Sequence, residues 1–538
     1  MVSNKLGEKI MTNIAKFDLD DDDLVVIIGS GAGGGTVANE LAQKGVRSVV
    51  LEAGKRFTLE DLKNSEWEMF MKLSWLDKRI SAGGWHHAKN HSGLPAWIVK
   101  GVGGSSIHWA GVSLRFKPHE FKMKSTNGVI EGANVADWPI SYDDIAPYYE
   151  KAEDKMGVTG TKATGTPDLP ENSHTKLHRV AAERTGMTFS NAPMAINSVA
   201  RDGRPACQQI GFCMQGCRIG AKWSTMYTEI PKAEATGLCE IRPNSMVLKI
   251  EHDEDGRASG VHYVDENGNK KLQKARIVCV AGNSIESPRL LLNSASKKFP
   301  DGLANSSGQV GRNYMGHVTG GVYGVFPKPV NMHRGTSVPS LITSEQRNDP
   351  DRGFVAGYSL EVLSLGLGFL SAFLKPGTSG WGREVSEALE NYQNMAGVWI
   401  CGEDLPVETN RITLHPTEKD QNGLPVPVIT KTDHNNDLVM RNHAYAQTAK
   451  LYKSVGATKL HNLPAYPNSH NMGTNRMSEK ASDGVVNKWG QSHDVPNLFI
   501  SDGSQFVTSA AVNPTLTIVA LAIRQAEHIA KLVKTNAL

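Results

Sequence analysis

"LVVIIGSGAGGGTVANELAQKGVRSVVLEAG", residues 24–54, decides how the chain is read. It opens with an unbroken apolar run, Leu24 to Ile28, as a strand buried on both faces requires. Gly29, Gly31 and Gly34 follow at once in G-x-G-x-x-G spacing, and "TVANELAQKG" then runs helically to Gly45, which suits a C-terminal cap. Val49, Val50 and Leu51 make a second strand, and Glu52 stands at its end. Strand, glycine turn, helix, strand and acid, with about twenty residues between glycines and acid, form the dinucleotide pattern. The glycines let backbone approach a pyrophosphate, the helix N-terminus favours its charge, and the carboxylate is placed for adenosine ribose hydroxyls. A chance glycine turn would not bring all five parts into register.

The rest of the composition narrows the class. At 538 residues the chain exceeds what one hydrophobic core serves, so two lobes are expected. Apolar content of 39%, charged content of 21% and 53 glycines fit a globular enzyme with many loops rather than a fibre or a disordered chain. The 58 basic and 55 acidic residues leave a net charge of only +3, which gives nucleic-acid binding no electrostatic basis. The start, "MVSNKLGEKIMTNIAKFDLDDDD", has neither an apolar signal core nor twin arginines, so no export signal of its own is expected. The acidic run Asp20 to Asp23 reads as a solvated cap before the first strand. One greasy stretch, Val362 to Leu374, is too short to cross a bilayer core of about 30 Å, leaving a buried helix, a lid or a docking surface.

Past residue 300 short strand-like runs such as "TGGVYGVF" and "PVPVIT" alternate with Pro, Asn and Gly, which suggests a second lobe on a sheet. "NLFISDGSQF" and "NPTLTIVALAIRQAEHIAKLV" then restore strand, turn and long helix. The expected division is a nucleotide domain over 20–300, a substrate lobe over 301–478 and a return to the nucleotide domain over 479–538.

Four further motifs carry chemistry: "KGVGGSSIHWAGVSLRF" at 100–116, "SHNMGTNRM" at 469–477, Asp502 in "NLFISDGSQF", and "VNPTLTI" at 512–518. With "AGNSIESPRLLLNS" at 281–294 and the N-terminal glycines, they resemble the glucose-methanol-choline family of FAD-dependent alcohol oxidoreductases along essentially the whole chain. Within it, "H-W" after G-G-S-S, "KMKS" at 122–125 and a cluster of three cysteines are most similar to the flavoprotein subunits of bacterial sugar dehydrogenases acting on glucose, fructose or glucosides. The resemblance implies an α/β fold: a Rossmann-like FAD domain with a discontinuous second lobe on a mostly antiparallel sheet.

Carried over residue by residue, it implies that Gly29, Gly31, Gly34 and Glu52 hold the ADP half of FAD, with Val247 offering backbone to the adenine. Gly104 and Ser105 would lie along the flavin, with Asp502 near its ribityl chain and Pro514 in the same N-P-T turn. His470 matches the family's base and Asn513 its second polar residue. The chemistry needs both: a base that takes the hydroxyl proton eases hydride departure, by about 10² to 10⁴ in rate, and a neutral amide can hold the same oxygen without titrating. His108 in "SSIHW" has two readings, a covalent link to the flavin and a histidine that only packs on the ring. Glu403 in "CGEDLP" is a candidate partner for a substrate hydroxyl, against a surface or interlobe carboxylate.

Cys207, Cys213 and Cys217 fall within eleven residues of "RPACQQIGFCMQGCRIGA", 204–221. The spacing is too crowded for an ordinary disulfide framework. Zinc, structural thiols and an iron–sulfur cluster remain, and closely spaced soft thiolates on a glycine loop suit the cluster. Three ligands favour a 3Fe-4S form, which the sugar dehydrogenase resemblance also implies. It further implies a small chaperone-like subunit with an export signal, a cytochrome c acceptor, and a periplasmic or membrane-associated location reached through that partner, with a cytoplasmic one as the alternative. The expected activity is oxidation of a sugar or glycoside hydroxyl, electrons leaving through FAD and the cluster. The rivals are a soluble alcohol or sugar oxidase that makes hydrogen peroxide and a non-catalytic electron-transfer flavoprotein.

Overall fold

The computed structural model describes residues 16–72, 88–89, 98–374, 382–465 and 469–538. The N-terminal stretch on which the export reading rests lies largely outside them. Val25–Ile28 is a fully buried strand at the centre of a five-stranded parallel sheet. Ser48–Leu51 and then Cys239–Arg242 flank it on one side, Ile277–Val280 and then Leu498–Ile500 on the other. Burial on both faces explains why these strands read as continuous apolar runs with no alternation. One face is covered by the helix Ala32–Gln43, which packs along the C-terminal helix Thr515–Lys534. The last 41 residues thus complete a sheet begun at residue 25. An antiparallel meander, Met246–His252, Ala258–Val264 and Lys270–Lys274, fills the connection between two of the parallel strands.

The helix Ala32–Gln43 starts where it does because two glycines leave room. A Cβ on Gly33 would stand 1.6 Å from the Ser501 carbonyl oxygen, and one on Gly34 would stand 2.1 Å from the Gly29 carbonyl oxygen. The helix therefore begins directly against the ends of the first and last strands. Gly29 itself has φ of +98°, a conformation that side chains disfavour.

The second sheet is antiparallel throughout. Its order is Lys459–Leu463, Gly321–Val325, Met395–Glu403, Tyr358–Val362, Ser340–Ile342 and Phe189–Asn191, with the short strand His317–Val318 also paired to Met395–Glu403. Its outermost strand comes from residues 189–191, so the boundary expected near residue 300 is crossed. The helix Asn435–Ser454 lies against this sheet. The greasy stretch splits between the end of Tyr358–Val362 and the helix Leu367–Leu374; Val362, Leu363, Leu365, Phe369, Leu370 and Leu374 are buried, while Leu367 is 48% exposed. Among the described residues no helix is long and apolar enough to cross a membrane.

Candidate active site

One continuous cleft runs between the two sheets. At one end it is lined by Gly29, Gly31, Glu52 and the segment Ser245, Met246, Val247 and Leu248. Gly104, Ser105, His108, Trp109 and Asp502 line its middle, and His470, Asn513 and Pro514 its far end. Apart from the three cysteines, which lie on a loop beside the cleft, the sequence candidates are therefore brought together with two exceptions. Gly34 sits one turn inside the helix and serves its close packing. Glu403 is also displaced: it lies behind the cleft wall, 2% exposed, hydrogen-bonded to the Ala510 backbone and facing the carboxyl of Glu120. Burial and that neighbouring acid push its carboxyl well above the usual range. It is neither a surface carboxylate nor a cleft residue.

The nucleotide end fits an anionic cofactor. The helix Ala32–Gln43 has no acidic side chain in its first turn and no side-chain cap, so its N–H groups and the positive end of its dipole face the cleft. Glu52 accepts from Ser30 N at 3.1 Å, Ser30 Oγ at 2.7 Å, Gly54 N at 2.9 Å and Gly101 N at 3.2 Å. It thus ties three loops together at the strand end. Asp502 caps the turn Gly503–Gln505 and accepts from Asn283 N at 2.8 Å and Ser287 Oγ at 2.5 Å, which joins the 281–294 motif to the D-G-S motif. His108 follows the short helix Gly104–Ile107 and is buried; burial and the nearby Lys222 push its imidazole down to about 3, so it is neutral.

At the far end His470 stands against His317, their Nδ1 atoms 2.8 Å apart. The second nitrogen of His317, Nε2, is 3.1 Å from the Ala510 carbonyl oxygen, which can only accept. His317 therefore carries its proton on Nε2 and accepts at Nδ1. His470 must then donate from Nδ1, which leaves a lone pair on its Nε2. Burial lowers both imidazoles, that of His317 to about 4. Neutral His470 is thus held in the one tautomer that can receive a proton at Nε2.

Six more residues complete this end. Glu361 lines the cleft from the strand Tyr358–Val362, beside its register partner Trp399. It is 1% exposed, and burial pushes its carboxyl up to about 8 although Asn513 and Cys401 hydrogen-bond to it. Trp399 meets the His470 ring edge-on at 5.3 Å. Leu363, Leu365, Phe369 and Val338 close the wall. Glu361 Oε1 and Asn513 Oδ1 are buried without a hydrogen-bond partner in the protein. Leaving such atoms unmatched costs about 1–3 kcal/mol each, a cost that a hydroxyl-bearing ligand would offset. His317, Glu361 and Cys401 were not legible in the sequence, because they sit in short strands with no motif around them.

All six cysteines are free thiols. Cys207, Cys213 and Cys217 are half-buried on the loop beside the cleft, and Met214, next to Cys213, lines the cleft itself. The Gln209 and Lys222 backbone N–H groups point at Cys207 Sγ and Cys217 Sγ, each at 3.4 Å, and Ser337 bonds to Cys213. Such N–H···S contacts suit thiolate ligands of an iron–sulfur group. Among the described residues only His317, Cys401 and His470 place three candidate ligand atoms within 4.8 Å of one another.

Comparison with known proteins gives a consistent picture. Residues 76–319 and 406–522 match the amino- and carboxy-terminal family models described as GMC oxidoreductase. The chain is 34% identical to a 2-methyl-1,2-propanediol dehydrogenase of Mycolicibacterium austroafricanum, covering 94% of this chain and 95% of that one. It is 32% identical to a fructose dehydrogenase large subunit of Gluconobacter japonicus, covering 94% and 97%. Among solved structures, a formate oxidase variant of Aspergillus oryzae superposes with a TM-score of 0.66 over 98% of this chain and 99% of that one, at 15% identity.

Proposed function

The chain belongs to the GMC oxidoreductase family, an FAD-dependent oxidoreductase acting on CH–OH groups, and from that premise we propose that it is a dehydrogenase of sugar or glycoside hydroxyls. The observation that carries the substrate end is the convergence of His470, Asn513 and Glu361 on one stretch of cleft, with a lone pair left on His470 Nε2. Bound FAD supplies the acceptor for a hydride. His470 Nε2 takes the proton of the substrate hydroxyl as its carbon gives up that hydride, and an Asn513 Nδ2–H donates to the same oxygen. Protonated Glu361 donates to a neighbouring hydroxyl, and the Trp399 face takes the apolar side of the substrate. The cleft wall excludes water from the developing carbonyl.

Electrons would then leave by a one-electron route that the cysteine loop supplies. Cys207, Cys213 and Cys217 would hold a 3Fe-4S cluster, which supplies a one-electron exit to a cytochrome c. A small export subunit would carry the folded protein to a periplasmic or membrane-associated site. His108 would either bond the flavin covalently or pack against it. Protein denatured in acid and pelleted keeps its yellow colour in the first case and loses it in the second. The apolar residues Leu363, Leu365 and Phe369 at the substrate end favour a second reading, a small branched diol in place of a sugar. Turnover with an artificial one-electron acceptor in air, without stoichiometric peroxide, is the expected behaviour. Peroxide formed at the rate of substrate oxidation would make the protein an oxidase instead.

A further inference from the structure

Lys222 is the most unusual charge in the molecule. It is 0% exposed, and its Nζ donates to three carbonyl oxygens: Ile107 at 3.0 Å, Trp109 at 2.6 Å and Cys213 at 2.6 Å. Three acceptors need three protons, so the group is the ammonium. Two of those carbonyls flank His108 on the loop that lines the cleft, and the third belongs to the cysteine loop. Its own backbone N–H points at Cys217 Sγ at 3.4 Å. Among the described residues no carboxylate pairs with it, and the acidic groups that act on it are the thiols of Cys213 and Cys217. A buried cation without a counter-ion is costly. The nearest groups that could carry a balancing negative charge are Cys213 and Cys217, on the cysteine loop.

We infer that Lys222 is the counter-ion of an anionic iron–sulfur group held by Cys207, Cys213 and Cys217, and that it joins that group electrostatically to the flavin loop. The inference rests on the cluster reading above and adds a residue that sets the cluster's potential. A fixed positive charge favours the reduced, more negative form. It also draws the two loops together, since one ammonium bonds both.

The test uses the full chain as purified, with Lys222→Met, Lys222→Gln and Lys222→Arg beside the wild type. Iron and flavin per chain are measured, and the oxidised cluster is followed by EPR in a potentiometric titration. Wild type is expected to hold about three irons. Lys222→Met and Lys222→Gln are expected to shift the reduced-to-oxidised ratio at a fixed potential about tenfold toward the oxidised form, about 59 mV for one electron. Lys222→Arg should stay within about twofold of wild type. If the two neutral variants lose the cluster but keep flavin while Lys222→Arg keeps both, the charge is again what matters. A potential unchanged in the neutral variants overturns the inference alone, and so does cluster loss in all three variants. Wild-type protein with flavin but no iron overturns the cluster reading and the inference with it.

Discussion

A single carbonyl, that of Ala510, sets the proton positions of the whole histidine pair. It takes the Nε2 proton of His317, so His317 accepts from His470, so His470 keeps its Nε2 lone pair for the substrate. His317 is thus a positioning residue. Replacing it with Phe should lower kcat/KM about tenfold, about 1.4 kcal/mol, with flavin content unchanged. His317→Gln, whose amide oxygen can accept the same hydrogen, should recover most of the loss. Equal damage from both would make His317 a packing residue only. Burial lowers both imidazoles, so the base is unprotonated at neutral pH. The acid limb of kcat/KM should therefore fall below the ordinary histidine value of about 6.5. Glu361 works in the opposite sense: raised to about 8, its carboxyl keeps a proton at neutral pH and loses it above that value. Glu361→Gln should match wild type within about threefold at pH 7 and abolish an alkaline limb near pH 8. An alkaline limb that survives in Glu361→Gln would assign that titration elsewhere.

At the scale of elements, the nucleotide half was legible because its constraints are local. Gly34 is read from the motif while Gly33 beside it is not, yet each has backbone within about 2 Å of where a Cβ would stand. Gly33→Ala should push the helix Ala32–Gln43 off Ser501. The expected outcome is chain with markedly less flavin per protein and a melting temperature lowered by several degrees, for an overpacking cost of about 1–3 kcal/mol. Full flavin occupancy would mean that the helix does not set the cofactor site. His470 and Asn513 were legible for the same reason, each lying in a contiguous motif. The substrate sheet was not. Its strands are short and far apart in sequence, so what stands beside what depends on register. Glu403 and Glu361 illustrate the point: pairing sets Glu361 next to Trp399, while Glu403, four residues beyond Trp399, pairs with His317 and turns toward Glu120. Lys222 was invisible for another reason, since a lysine near a cysteine motif reads as a solvated charge until its burial is known.

The whole molecule places two kinds of chemistry on either side of one loop. The parallel sheet presents its strand ends and a helix N-terminus to a dinucleotide, the antiparallel sheet presents Glu361 and Trp399 to an alcohol, and the cysteine loop touches the cleft through Met214. With the cluster proposed above, that arrangement would separate proton transfer, assigned to His470, from the onward path of electrons. Removing the cysteines should therefore spare flavin reduction by substrate and abolish delivery to a cytochrome. The most direct test of the account is anaerobic mixing of the purified flavoprotein with a panel of sugars, glycosides and small diols, following loss of the oxidised flavin absorbance in wild type and His470→Ala. The account predicts rapid bleaching of wild type by at least one hydroxyl compound and a rate at least about 100-fold slower in His470→Ala with full flavin content. Bleaching of His470→Ala within about threefold of wild type would contradict it.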